Sequence, residues 1–141
     1  MVPDSNYNTV LMADDDPEDC MLAGEAFAES GAKAEFSCVL DGMAWMNHLP
    51  EHLAGRGVQG LPSLILLDLN MPRKDGREAL VEIKAESALQ HIPVVILTTS
   101  EEEKDIAFCM KAGATAFITK PATFDEWVKM MKSLEEHWLQ R

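Results

Sequence analysis

The chain is poor in positive charge, poor in cysteine and free of long apolar runs. It carries 24 Asp and Glu against 12 Lys and Arg, a formal net charge of -12. Nucleic-acid binding draws its affinity from Lys and Arg at phosphates, so this balance weighs against nucleic acid as a direct partner but leaves a basic protein partner open. Cys20, Cys38 and Cys109 are odd in number, far apart and never spaced C-x-x-C. That pattern leads to no expectation of a disulfide framework or a zinc site, and instead to one of buried thiols in a reducing compartment. No stretch approaches the roughly 18 to 20 apolar residues of a membrane span. The leading residues MVPDSNYN also lack the basic and apolar regions of a signal peptide. The expectation is a cytoplasmic protein with no membrane partner, built as one domain of 141 residues, long enough for a core without staples.

What the chain does have is a series of short apolar runs that each stop at a polar residue. The most informative is Ser63-Leu64-Ile65-Leu66-Leu67-Asp68, followed by Leu69-Asn70-Met71-Pro72. Unbroken large aliphatics fit a strand buried on both faces of a parallel sheet. Asp68 then falls at the carboxyl end, the edge at which open α/β sheets bind ligands. Thr9 to Ala13 repeats the pattern and ends in Asp14-Asp15-Asp16. Pro93 to Leu97 ends in Thr98-Thr99-Ser100, and Ala114 to Thr119 ends in Lys120-Pro121. A weaker strand is read at Ala34 to Val39, before an Asp41-Gly42 turn.

Helical signals separate the runs. Asp16 is placed to cap a helix that begins at Pro17, whose missing N–H costs nothing there. Cys20, Ala23, Gly24, Phe27 and Ala28 recur at helical spacing before a stop at Ser30-Gly31. Met43 to about Leu53 reads as a second helix, kinked or ended by Pro50, with a loop from Glu51 to Leu61. A third helix is predicted over Gly76 to Ala88 and a fourth over Glu101 to Ala112, closed by Gly113. The fifth runs from Thr123 to about Leu139, with Thr123 and Glu126 as a capping box. Five strands alternating with five helices predict a three-layer α/β sandwich with a parallel sheet.

In that fold Asp14, Asp15, Asp68, Thr98 and Lys120 converge on one edge. Crowded carboxylates stay ionised only around a cation, and oxygen ligands without His or Cys point to a hard ion such as Mg²⁺. A lysine and a hydroxyl beside them suit a phosphoryl group, for which Asp68 would be the nucleophile. Each residue alone has an ordinary reading, as a helix cap, a β-branched strand residue or a solvated charge; only the combination carries the chemistry. His48 and His52 are four apart, but Pro50 intervenes and they read as a surface pair.

The chain resembles the receiver domains of two-component response regulators over roughly residues 9 to 138. The motifs are Asp14-Asp15, LLDLNMP-x-x-DG, LTTS and TKP, in order and each at a strand end. The resemblance implies a flavodoxin-like (βα)5 fold with sheet order 2-1-3-4-5. It implies Asp68 as phosphoacceptor, Asp15 as a Mg²⁺ ligand with Asp14 acting beside it through water, and the Asn70 carbonyl as a further ligand. Thr98 would bond the phosphoryl group, Lys120 would pair with it, and Phe117 would be the switch aromatic. Ser100 and Asn70 match positions that tune phosphoryl lifetime, and a cis peptide is implied at Lys120-Pro121. Such a protein is a phosphoacceptor that assists its own phosphorylation and dephosphorylation rather than an enzyme acting on others. Its donor would be a sensor histidine kinase.

The DDDPED turn, the loop before the third strand, DGREALVEIKA and IPVVILTTSEEEKDI are similar to stand-alone regulators of the cyanobacterial-phytochrome type, which implies a phytochrome-class sensor. The chain stops at Arg141 just after the fifth helix, so a single receiver domain over 1–141 with no output domain is expected. Trp127, Met131, Leu134 and Trp138 form one apolar stripe on that helix, which Phe124 and Val128 widen beyond one core face. The fourth helix, fifth strand and fifth helix are therefore a candidate homodimer face.

Three other classes compete. An aspartate-nucleophile phosphatase needs a second acid two residues after Asp68, where Asn70 stands. A flavodoxin needs a Ser/Thr/Gly phosphate loop where this chain has an acidic turn. A receiver-fold scaffold that works without phosphorylation usually lacks one of the acids or the lysine, all of which are present.

Overall fold

A computed structural model describes residues 8–31, 34–39, 62–69, 75–87, 89–99 and 101–138. The elements are β1 (Asn8–Ala13), α1 (Pro17–Glu29), β2 (Ala34–Val39), β3 (Leu64–Leu67), α2 (Gly76–Ala85), β4 (Val94–Thr98), α3 (Glu103–Ala112), β5 (Ala116–Thr119) and α4 (Phe124–Trp138). The helix read at Met43 to Leu53, its Pro50 kink, the loop to Leu61 and the pair His48 and His52 lie outside the described residues.

The strands form one sheet of order β2-β1-β3-β4-β5, every pair parallel. Alternate side chains along each strand feed two separate cores, because successive residues point to opposite faces. Val10, Met12, Leu64, Leu66, Val95 and Leu97 pack with Ala23, Ala26 and Phe27 of α1 and with Trp127, Met131 and Leu134 of α4. Leu11, Ala13, Ile65, Leu67, Val94 and Ile96 pack with Ala79, Leu80 and Ile83 of α2 and Cys109 of α3. All four residues of β3 are buried. At about 1.5–3 kcal/mol for each large aliphatic side chain buried, this strand fixes Asp68 rigidly at its end.

The helix ends follow the sequence closely. Asp16 accepts from the Glu18 amide at 2.9 Å, and Gly31 leaves α1 with φ +82°. Gly113 closes α3 at φ +111°, a conformation that side chains with a Cβ rarely adopt. Thr123 Oγ1 accepts from the Glu126 amide at 3.2 Å. The Glu126 side chain reaches back to the Ala122 amide at 3.1 Å, one residue earlier than in the reciprocal box the sequence predicts. α2 ends at Ala85 rather than Ala88, and Ala26 rather than Ala28 fills the apolar face of α1.

Two expectations are corrected. Cys20 and Cys38 are joined in a disulfide, with their Cα atoms 6.0 Å apart. The pairing arises because α1 lies over β2, a tertiary fact that two cysteines at a separation of 18 do not announce. Only Cys109 is the buried free thiol expected, and burial pushes its pKa up. There is no cis peptide among the described residues, so Lys120-Pro121 is trans. An X-Pro bond accepts either isomer at small energetic difference, and the local fold decides.

Candidate functional site

The carboxyl ends of β1, β3, β4 and β5 deliver polar groups to the same edge. Asp14 follows β1 and is fully buried, its amide donating to the Val39 carbonyl at 3.0 Å and its Oδ1 accepting from the Asp16 amide at 2.9 Å. Asp15 beside it is exposed. Asp68 follows β3, 4% exposed, with its amide on the Ala13 carbonyl at 2.9 Å. Thr98 ends β4 fully buried, and its carbonyl accepts from the Lys120 amide at 2.9 Å. The adjacent backbones of parallel strands thus lock the four positions in mutual register.

Gly76 sets how closely α2 approaches this edge. A Cβ there would collide with the Asp68 carbonyl oxygen and come within 2.7 Å of the Leu69 Cα. The absent side chain lets the Gly76 amide donate to the Leu69 carbonyl at 2.9 Å. The Asp-Gly of the sequence motif therefore serves both as helix start and as close backbone contact.

Asp14, Asp15 and Asp68 each place a carboxylate oxygen within 4.8 Å of the others. The Lys120 ammonium is 2.8 Å from Asp14 Oδ2, 2.7 Å from Asp19 Oδ2 and 3.5 Å from Asp68 Oδ2. The Asp19 contact is an aligned hydrogen bond. The Asp14 contact is a charge contact without that alignment, which leaves Asp14 Oδ2 a buried oxygen with no well-directed donor among the described residues. Burial pushes the Asp14 carboxyl up to about 6; the Lys120 ammonium and the Asp16 amide pull it down, and the Asp68 charge adds to the rise. Burial also works against the Lys120 ammonium, but Asp14, Asp19 and the Asp68 charge outweigh it and hold its pKa above the usual lysine value.

The donor set is all oxygen, with one buried oxygen undersatisfied and an exposed carboxylate at the mouth. These features fit a hard divalent cation that keeps part of its water shell. Phe117 on β5 is partly buried, packed against the core that α2 and α3 cover. Asn70 and Ser100, both singled out in the sequence, lie outside the described residues. Sequence reasoning does not single out Asp19, which sits in the first turn of α1 where an acid reads only as favourable to the helix dipole. It also misses a second cluster. Arg77 Nη1 donates to both Asp75 oxygens at 3.0 Å, while its Nη2 and Nε donate to Asp105 Oδ1 at 2.6 and 3.2 Å.

A parallel sheet thus gathers acids, a hydroxyl and a lysine at one edge, a set of groups with the chemistry to take a cation beside an anion. The chain belongs to the response regulator receiver domain family, whose pattern matches residues 10–132. It is similar to response regulator Rcp1 of Synechocystis sp., 37% identical over 131 residues that span 93% of this chain and 88% of that protein. Among solved structures it is similar to the phosphorylated cyanobacterial phytochrome response regulator RcpA, at 39% identity and a TM-score of 0.82. It is also similar to the Mn²⁺-bound form of Rcp1, at 36% identity and a TM-score of 0.77. Each structural match covers 94% of both chains. The family places this chain in two-component signalling, with phytochrome-associated relatives. No helix among the described residues is long and apolar enough to cross a membrane.

Proposed function

We propose that the chain accepts a phosphoryl group on Asp68 from the phosphohistidine of a sensor histidine kinase and later releases it as phosphate. In the first step an Asp68 Oδ–P bond forms as the N–P bond breaks; in the second, water takes the phosphoryl group and the carboxylate returns. The single observation that carries this reading is the shared position of Lys120, within 3.5 Å of both Asp14 and Asp68 at the carboxyl edge. Asp14, Asp15 and Asp68, with the Asn70 carbonyl that the family resemblance implies, would hold Mg²⁺, which neutralises phosphoryl oxygens when bound. Lys120 supplies a fixed positive charge to the same group, and the Thr98 hydroxyl a hydrogen bond. Phosphoryl transfer asks mainly for such positioning and charge.

A phosphoryl contact at Thr98 gives β4 a different interaction in the two states, which is what a population shift requires. Phe117, two residues before Thr119 of β5, is the proposed relay from there to the surface of α3, β5 and α4. Met110 and Phe124 are exposed on those helices, at 45% and 39%. This surface is the proposed contact for a protein partner or a second copy of the chain, and the names of the relatives favour a phytochrome-class kinase as donor.

The test is intact mass after incubation with Mg²⁺ and acetyl phosphate, with Asp68→Asn and a chelator as controls. One added phosphoryl group, lost in both controls, is expected. An adduct that survives Asp68→Asn would move the acceptor to another residue, and none with either acetyl phosphate or a cognate kinase would favour the scaffold reading.

A further inference from the structure

Lys120 makes its shortest contact with a residue outside the receiver motif. Its ammonium lies 2.7 Å from Asp19 in an aligned hydrogen bond, and 3.5 Å from Asp68. Asp19 is held in place by its own helix: Asp16 caps the first turn of α1, Pro17 fixes the backbone there, and Cys20, its neighbour, is tied to Cys38 on β2. The Asp19 side chain is 22% exposed, whereas that of Lys120 is 9% exposed. A largely desolvated ammonium therefore sits between the buried Asp14, 2.8 Å away, and the more exposed Asp19, and stands off Asp68.

We propose that Asp19 is a positioning residue for phosphoryl uptake, holding the Lys120 ammonium off Asp68 until a phosphoryl group competes for it. This rests on the phosphoacceptor reading above. A phosphoryl group brings negative charge and strong acceptor oxygens to Asp68, and charge-assisted hydrogen bonds to such oxygens are among the strong ones. The new oxygens then compete with Asp19 for the Lys120 donors. To the extent that Lys120 gives up Asp19 when the phosphoryl group arrives, the Lys120–Asp19 bond opposes uptake. A lysine suits this exchange, being a point charge on a flexible stem rather than a rigid fork.

The experiment is the initial rate of phosphoryl uptake by the full chain from acetyl phosphate with Mg²⁺, read by intact mass. In this reaction the Asp68 Oδ–P bond forms and acetate leaves. Asp19→Asn, which keeps the shape and removes the charge, is expected to speed uptake about fivefold, a modest figure because Asp19 is partly solvated. Asp19→Glu, which keeps a carboxylate, should stay within about twofold of the parent rate, and Asp19→Asn in a Lys120→Ala background should change little, because the effect runs through Lys120. If that background falls below detection, the affinity for beryllofluoride, a phosphoryl mimic, is read in the same proteins with the same expectation.

Unchanged or slower uptake in Asp19→Asn would overturn the proposal. So would equal acceleration in the Lys120→Ala background, which would mean that the charge acts on the incoming anion directly. A parent protein that forms no adduct at Asp68 would remove the phosphoacceptor reading and this proposal with it. A parent adduct with an inert Asp19→Asn removes the proposal alone.

Discussion

The described residues include two cation-centred clusters of similar make-up and opposite design. Lys120 faces Asp14, Asp19 and Asp68, three carboxylates on three different elements, at unequal distances. Arg77 grips Asp105 on α3 with two donors, Nε and Nη2, and both oxygens of Asp75 at the start of α2 with a third, Nη1. An ammonium can slide between partners; a guanidinium fork cannot without losing its paired geometry. The first cluster can change its partner when charge arrives, while the second fastens two helices. The Asp105 side chain is 7% exposed in that pair, so removing the arginine would leave a buried carboxyl without this partner.

The largest expected effect separates the two directly. Lys120→Ala should slow phosphoryl uptake on the order of a hundredfold, the usual loss when one preorganised charge or donor at a transition state is removed. A loss below about threefold would make Lys120 structural. Arg77→Ala should instead lower the unfolding free energy by about 2 kcal/mol in a urea titration, with uptake per folded molecule changed less than about twofold. Should uptake fall as far as in Lys120→Ala, the fork belongs to the site and the contrast fails.

The pH dependence sharpens the comparison from the side of Asp14. Without a cation, burial pushes its carboxyl in the folded chain up to about 6, from an ordinary value of 3.8. Folding therefore takes up a proton between these values, and what this group contributes to stability is complete below 3.8 and lost as the pH rises through about 6. A divalent cation needs the ionised carboxylate, so Mg²⁺ affinity should move the other way, weakening about tenfold from about pH 7 to about pH 5. Calorimetric titration at both values measures it, and a pH-independent affinity would contradict the assignment. The smallest effect lies away from both clusters: Thr123→Ala, which removes the cap of α4, should lower stability by about 1 kcal/mol in the same urea titration and leave uptake unchanged.

The sequence makes the sheet legible because β3 and β4 are buried on both faces and so read as unbroken aliphatic runs that end at Asp68 and Thr98. Helix ends at Asp16, Gly113 and Thr123 are equally local, since each cap bonds within four residues. The Cys20–Cys38 link, the Asp19–Lys120 bond across 101 residues and the Arg77–Asp105 pair across 28 are different. Each depends on which elements become neighbours, and no spacing rule reports that. Asp19 reads like any acid in a first turn because its partner follows a strand at the far end of the chain. The Glu126 side chain bonds one residue off its predicted partner because side-chain reach is settled by rotamers rather than by motif.

The most direct test of the central claim is to trap the product chemically. The chain is phosphorylated with acetyl phosphate and Mg²⁺, reduced with borohydride, which converts an aspartyl phosphate to homoserine, and mapped by peptide mass spectrometry. Homoserine at position 68, absent without Mg²⁺, is the predicted result. Homoserine at another aspartate, or phosphate retained on a different residue type, would contradict the placement of the reaction at the end of β3.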